Sequence, residues 1–235
     1  QYTFTLTGPG IDTLTFNDAN AAGNDKYYVT FTANQPGPSL TLTANDACGN
    51  DAYTIKANKV VLGDTTVTVN DAAGNDRYAL GLTGSGSDTL AFNDGDGNDR
   101  YAITFTANQP GPSLALTAND AAGNDAYSLR ASRVTLGDVS VDFNGAAGND
   151  RLTISYLNSN GGVSAEIIDG DGNDVYSVRN VASTTTTNID IQDGLGNDRY
   201  TYTQGTQASA DTVTVTDSDG TNRYSIDTGT GDDAV

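Results

Sequence analysis

The tripeptide Gly-Asn-Asp begins at Gly23, Gly49, Gly74, Gly97, Gly123, Gly148, Gly172 and Gly196, with a degenerate Gly-Thr-Asn at Gly220. The spacing stays between 23 and 26 residues along the whole chain. A fixed period of this size marks a stack of equivalent supersecondary units rather than a globule with one irregular core. A longer period overlies it: residues 27–74 match 101–148 at 33 of 48 positions, at an offset of 74. That offset spans three short repeats, so the block 27–100 reads as duplicated at 101–174, and residues 1–235 read as a single repeat domain.

Between the turns the chain alternates with period two. RYALGL (77–82), RYAITF (100–105) and AYSLRA (126–131) follow the motif, and SLTLTA (39–44), TTVTVN (65–70) and VSVDFN (139–144) precede it. Such β-branched and aromatic runs predict half-buried strands, and no segment has helical spacing. Two strands of five or six residues and two turns account for one repeat. The expected fold is all-β, a parallel β-solenoid of nine to ten coils with two short strands per coil and stacked GND turns. Coils about 4.8 Å apart would make a rod roughly 45 Å long. An antiparallel sandwich would not favour identical residues at every turn.

Stacking the turns stacks their acids. Asp25, Asp51, Asp76, Asp99, Asp125, Asp150, Asp174 and Asp198 would line one edge, and Asp46, Asp71, Asp94, Asp120, Asp169 and Asp193 form a second row five residues upstream of their turns. Neighbouring carboxylates about 5 Å apart repel by about 1 kcal/mol in water and by several times more at an effective dielectric near 20. A basic side chain is one neutralising partner, since Lys26, Arg77, Arg100, Arg151, Arg199 and Arg223 follow the motif, but Ala52, Ala126 and Val175 interrupt that series. The other is Ca²⁺, a hard cation that takes six to eight oxygens in glycine-bent turns. Composition fits a cation, with 30 acids against 11 bases, a net charge of −19 and a single Glu, Glu166. The same charge disfavours nucleic acid as a partner.

The motifs GDGNDRYA (95–102), GDGNDVYS (170–177) and GLGNDRYT (194–201) resemble the core of RTX, or haemolysin-type, calcium-binding repeats. The resemblance is to a divergent form, with about 24 residues per coil where the family has 18. It implies Ca²⁺ ions shared between successive coils by turn aspartates and glycine carbonyls. The opposite edge carries related patterns in GPGIDTL (8–14), LGDTTV (62–67), GSGSDTL (84–90), LGDVSV (136–141), ASADTV (208–213) and GTGDDAV (229–235). Asp12, Asp64, Asp88, Asp138, Asp211 and Asp233 are therefore weaker metal candidates.

With no His and one cysteine, Cys48, the chain has no Ser-His or Cys-His nucleophile, no intrachain disulfide and no thiolate zinc cage. The bases recur in repeated slots, so no singular constellation predicts an enzyme. No run of 18 apolar residues is present, and no membrane insertion is expected. The tyrosines after each motif are expected in the core. The paired prolines Pro36/Pro38 and Pro110/Pro112 are expected in edge loops that deny strand pairing to neighbours. The start at Gln1 and the end at Val235 suit a mature protein or a piece of a longer one. The expected role is a secreted, calcium-stabilised structural segment of an extracellular filament, adhesin or surface layer, with end-to-end self-association. Two other readings stand beside it. One is an RTX-like accessory module of a larger secreted enzyme or carbohydrate-binding protein, and the other is an ice-binding solenoid presenting Thr13/Thr15, Thr41/Thr43 and Thr66/Thr68.

Overall fold

A computed structural model describes residues 1–7, 10–32, 39–57, 62–106, 113–131, 134–205, 210–230 and 233–235. The proline-bearing segments and the bases Lys59 and Arg133 lie outside the described residues. Every strand pairs in parallel with its counterpart one repeat away, and no helix is present among the described residues. The strands after each GND turn form one sheet of twelve strands, two of them the short corner strands Thr135–Leu136 and Asn158–Ser159. The strands before each turn form a second sheet of nine. The chain thus winds as a parallel β-solenoid with two main strands per coil.

About eight full turns are present, fewer than the nine to ten that the motif count suggested. Motifs are corners, and nine corners bound eight coils. At about 4.8 Å per coil the repeating body is roughly 38 Å long.

Register carries like residues onto like. Tyr27 aligns with Tyr53, Tyr53 with Tyr78, Tyr78 with Tyr101, and Tyr101 with Tyr127. Their rings stack with centroids 4.4–5.1 Å apart and interplanar angles of 5–13°. Offset aromatic pairs of this kind contribute about 0.5–1.5 kcal/mol each beyond their burial. From the second sheet Leu42, Val67, Leu90, Leu116 and Val141 close over the same narrow core. The alternation read from the sequence is the alternation seen: Arg77–Leu82 runs exposed, buried, half-buried, buried, half-buried, buried.

The GND corner is tight because coils touch there through their backbones. A Cβ on Gly74 would lie 1.6 Å from the Gly49 carbonyl oxygen, so no side chain fits. Asn fills the neighbouring position with a ladder of its own. The Asn75 side-chain amide donates to Asn50 Oδ1 at 3.0 Å, and Asn98 to Asn75 at 2.9 Å. A second amide ladder runs through Asn17, Asn45, Asn70, Asn93 and Asn119, at 2.7–2.9 Å per step.

Candidate metal centre

The GND aspartates point into the solenoid. Asp51, Asp76, Asp99, Asp125, Asp150, Asp174 and Asp198 are all buried, Asp76 and Asp99 being 2% exposed. One oxygen of each is committed to the neighbouring coil. The backbone N–H of Asp51 donates to Asp76 Oδ1 at 2.6 Å, that of Asp76 to Asp99 Oδ1 at 2.6 Å, and that of Asp99 to Asp125 Oδ1 at 2.6 Å. The series continues through Asp150, Asp174 and Asp198 to Asn222, whose Oδ1 accepts from the Asp198 N–H at 2.7 Å. On four of them the other oxygen has no such partner: Oδ2 of Asp51, Asp76, Asp99 and Asp198 is buried with no hydrogen bond.

The second acid row is oriented from both ends. Asp71 Oδ1 accepts the N–H of Ala72 at 2.9 Å, and Asp94, Asp120, Asp169 and Asp193 hold the next N–H in the same way. Their Oδ2 atoms accept the core phenols, Tyr78 to Asp71 at 3.2 Å, Tyr101 to Asp94 at 2.6 Å and Tyr176 to Asp169 at 2.7 Å. The tyrosine stack is therefore core packing with a polar tip that aims an acid. One coil confirms the coupling. Where the row has Gly145 in place of Asp, the stack has Leu152 in place of Tyr.

The two rows converge in groups of three. Asp25, Asp46 and Asp51 present oxygens within 4.8 Å of one another, as do Asp51/Asp71/Asp76, Asp76/Asp94/Asp99, Asp99/Asp120/Asp125 and Asp150/Asp169/Asp174. Each group takes one acid from the second row and a GND acid from each of two coils.

Among the described residues no Lys or Arg side chain pairs with these groups. The bases that follow the motif, Lys26 and Arg77 among them, are exposed on the outside of the sheet. Among the described residues none pairs with Asp51, Asp76, Asp99, Asp125, Asp150, Asp174 or Asp198; Asp25 faces the terminal ammonium of Gln1 at 3.7 Å. Burial, reinforced by neighbouring carboxylates, accordingly raises the acids: Asp76 and Asp99 to about 8, Asp125 and Asp174 to about 7, and Asp51 and Asp71 to about 6. Burial of this much unpaired negative charge is costly unless the acids are protonated or hold a cation.

The donor set fits a hard divalent cation. Three oxygens within 4.8 Å of one another can all touch one ion with Ca–O distances of about 2.3–2.6 Å, and the orphaned Oδ2 atoms are free to do so. Coordination there would bridge successive coils.

The opposite edge differs. Register aligns Asp12 with Leu40, Leu40 with Thr65, Thr65 with Asp88, and Asp88 with Leu114. Asp12, Asp88 and Asp211 thus sit in an inward slot that other coils fill with Leu, Val or Thr, and they are several coils apart. Asp64 and Asp138 sit one residue earlier and are exposed, capping Ser87 at 2.8 Å and Gly162 at 3.0 Å. Among the described residues of this edge, Asp233 Oδ1 alone repeats the ladder geometry, accepting from the Asp211 N–H at 3.1 Å.

Two acids escaped the spacing rule. Asp18 aligns with Asp46, and the step after Gln192↔Thr216 places Asp217 over Asp193, so both extend the second row. Asp18 lies seven residues before Asp25 instead of five, and Asp217 precedes an Asn where the motif has Asp.

No family model, no curated protein and no solved structure matches this chain.

Proposed function

We propose that this chain is a calcium-loaded structural β-solenoid working outside the cell, as a rigid segment of a filament, adhesin or surface layer. One observation carries the reading: buried turn aspartates, four of them with an orphaned oxygen, converge in threes with no side-chain base paired to them among the described residues. Calcium suits them better than magnesium. Mg²⁺ keeps much of its water in a near-ideal octahedron, whereas these oxygens are buried and set by a backbone ladder. The RTX-like sequence of the turns supports the same ion.

Ions that bind the stacked coils and not the unfolded chain couple folding to calcium concentration. Such a chain would be least stable where calcium is scarce and gain stability at the millimolar levels outside cells. End-to-end association belongs to this reading.

The chain has twelve Tyr and no Trp, and the Tyr hydroxyls touch the second acid row, so bound Tb³⁺ should be sensitised through tyrosine. Terbium emission displaced by Ca²⁺, with circular dichroism and melting followed in calcium and in chelator, tests the proposal. Melting that ignores chelation, with no sensitised emission, would refute it. Sedimentation in excess calcium tests the assembly separately, and rods that stay monomeric would exclude end-to-end stacking.

A further inference from the structure

Although the protein carries a net charge of −19, its described bases all lie on one face. Lys26, Arg77, Arg100, Arg151, Arg199 and Arg223 form one line along the solenoid, at the first position of each strand after the turn. Lys56, Arg130 and Arg179 form a second line at the fifth position of theirs. All nine are exposed, and none makes an ion pair among the described residues. Asp227 is the one acid at the outward positions of these strands. The outward positions of the other sheet hold no base, and Asp142, Glu166 and Asp190 stack there in register.

The two basic lines flank a floor of small residues. Thr54, Ala79, Ala102 and Thr153 occupy the middle outward position and are half-buried. Four residues separate the lines, about 13 Å at 3.3 Å per residue. The result is a straight trough along the axis, with flexible cationic walls and a floor partly of hydroxyls. Charges along each wall fall at multiples of the coil spacing, about 4.8 Å. The acids of the opposite sheet face lie about 10 Å or more away, comparable to the screening length at ~0.1 M salt.

We infer that this face binds a linear anionic polysaccharide, laid along the solenoid axis. Guanidinium groups on both walls pair with its carboxylates or sulfates in bidentate fashion. Floor hydroxyls meet its sugar hydroxyls. Nucleic acid fits less well. Single strands bind on aromatic platforms, and the aromatic side chains on this face, Tyr28 and Tyr156, are five coils apart, with Arg130 already over the Tyr156 ring at 4.9 Å. The inference needs the solenoid but does not need cations in the acid triads.

Calorimetric titration of the full chain tests it, at a calcium concentration that leaves the probe saccharides unassociated. The probes are a size-defined oligogalacturonate, a heparin-derived oligosaccharide, a neutral dextran oligosaccharide and oligo-dT. At least one acidic oligosaccharide should bind, with affinity falling as salt rises, and the tighter of the two identifies the anion. Arg100→Gln/Arg151→Gln/Arg199→Gln should weaken it tenfold or more, and so should Lys56→Gln/Arg130→Gln/Arg179→Gln on the other wall. These side chains are exposed, and unchanged circular dichroism verifies the fold. Asp142→Asn/Glu166→Gln/Asp190→Asn on the far face should leave binding unchanged or tighter. Equal binding of dextran, tighter binding of oligo-dT, or full affinity in both cationic-wall variants would overturn the inference.

Discussion

Asn222 stands where every other copy of the turn has Asp, and it fills the backbone ladder as well as Asp does, accepting from Asp198 at 2.7 Å. The ladder therefore needs an oxygen, not a charge, and the charge is left for something else. Replacing Asp99 with Asn separates the two. The acceptor for the Asp76 N–H remains, while a buried carboxylate held at about 8 by desolvation disappears. In chelator at pH 8 Asp99→Asn should melt higher than the parent. In saturating calcium it should melt lower, since a site loses a ligand, and calorimetry in both buffers reads the opposite signs. Glycine gives a second contrast. Gly74→Ala drives a Cβ into the Gly49 carbonyl and should lower the melting temperature sharply or prevent folding. At Gly81 the nearest atom to an added Cβ, the Ile55 carbonyl oxygen, is 3.9 Å away, so Gly81→Ala should be neutral or stabilising by up to about 1 kcal/mol.

At the scale of the coil, the unit is an acid, a tyrosine and a turn acid acting together, and the exceptional coil shows it by losing two parts at once. Gly145 and Leu152 divide the series, leaving Asp125 and Asp150 without a second-row acid between them. Gly145→Asp alone would bury a carboxylate without the phenol of its own coil and bring a Cβ to 2.5 Å from Asp169 Oδ1, and Leu152→Tyr alone would bury a hydroxyl without the acid of its own coil. Each should destabilise the chelated protein by roughly 1–3 kcal/mol. Together they should recover much of the loss and add one calcium to the stoichiometry measured by titration. Additive losses with unchanged stoichiometry would contradict the coupled unit. The strands and their register were legible in the sequence because period-two alternation and a near-constant repeat leave one way to stack equal coils. The first acid row was legible for the same reason, since Asp at a fixed corner stays at that corner. The direction of its side chains was not: a turn Asp followed by Arg reads equally well as a surface ion pair, and only register shows Arg77 outside and Asp76 inside. The second edge misled more. Its motifs resemble one another, but loops of unequal length shift Asp64 and Asp138 by one residue against Asp12 and Asp88, and one residue reverses the facing of a strand. Asp18 was hidden by a two-residue insertion before Asp25.

For the whole molecule, the acid rows make stability depend on pH in a direction opposite to that of most folded proteins. The usual native carboxylate is stabilised as an anion, so acid unfolds the chain. Here burial holds Asp51 and Asp71 at about 6, Asp125 and Asp174 at about 7, and Asp76, Asp99 and Asp169 at about 8, against an ordinary 3.8. Folding therefore takes up protons in this range. The stabilisation is fully present below about pH 4 and is lost as pH rises through 6 to 8. In chelator the melting temperature should be highest near pH 4 and fall steadily to pH 8. Calcium requires the anions, so the gain in melting temperature on adding it should be small at pH 4 and largest at pH 8. Exposed acids repel one another more as pH rises and push the same way, so Asp76→Asn/Asp99→Asn serves as the control. It should flatten the chelator slope between pH 6 and 8 while the exposed charge stays unchanged. A melting temperature that climbs from pH 4 to pH 8 in chelator would mean that the buried acids already have partners as anions, and the cation reading would lose its physical ground.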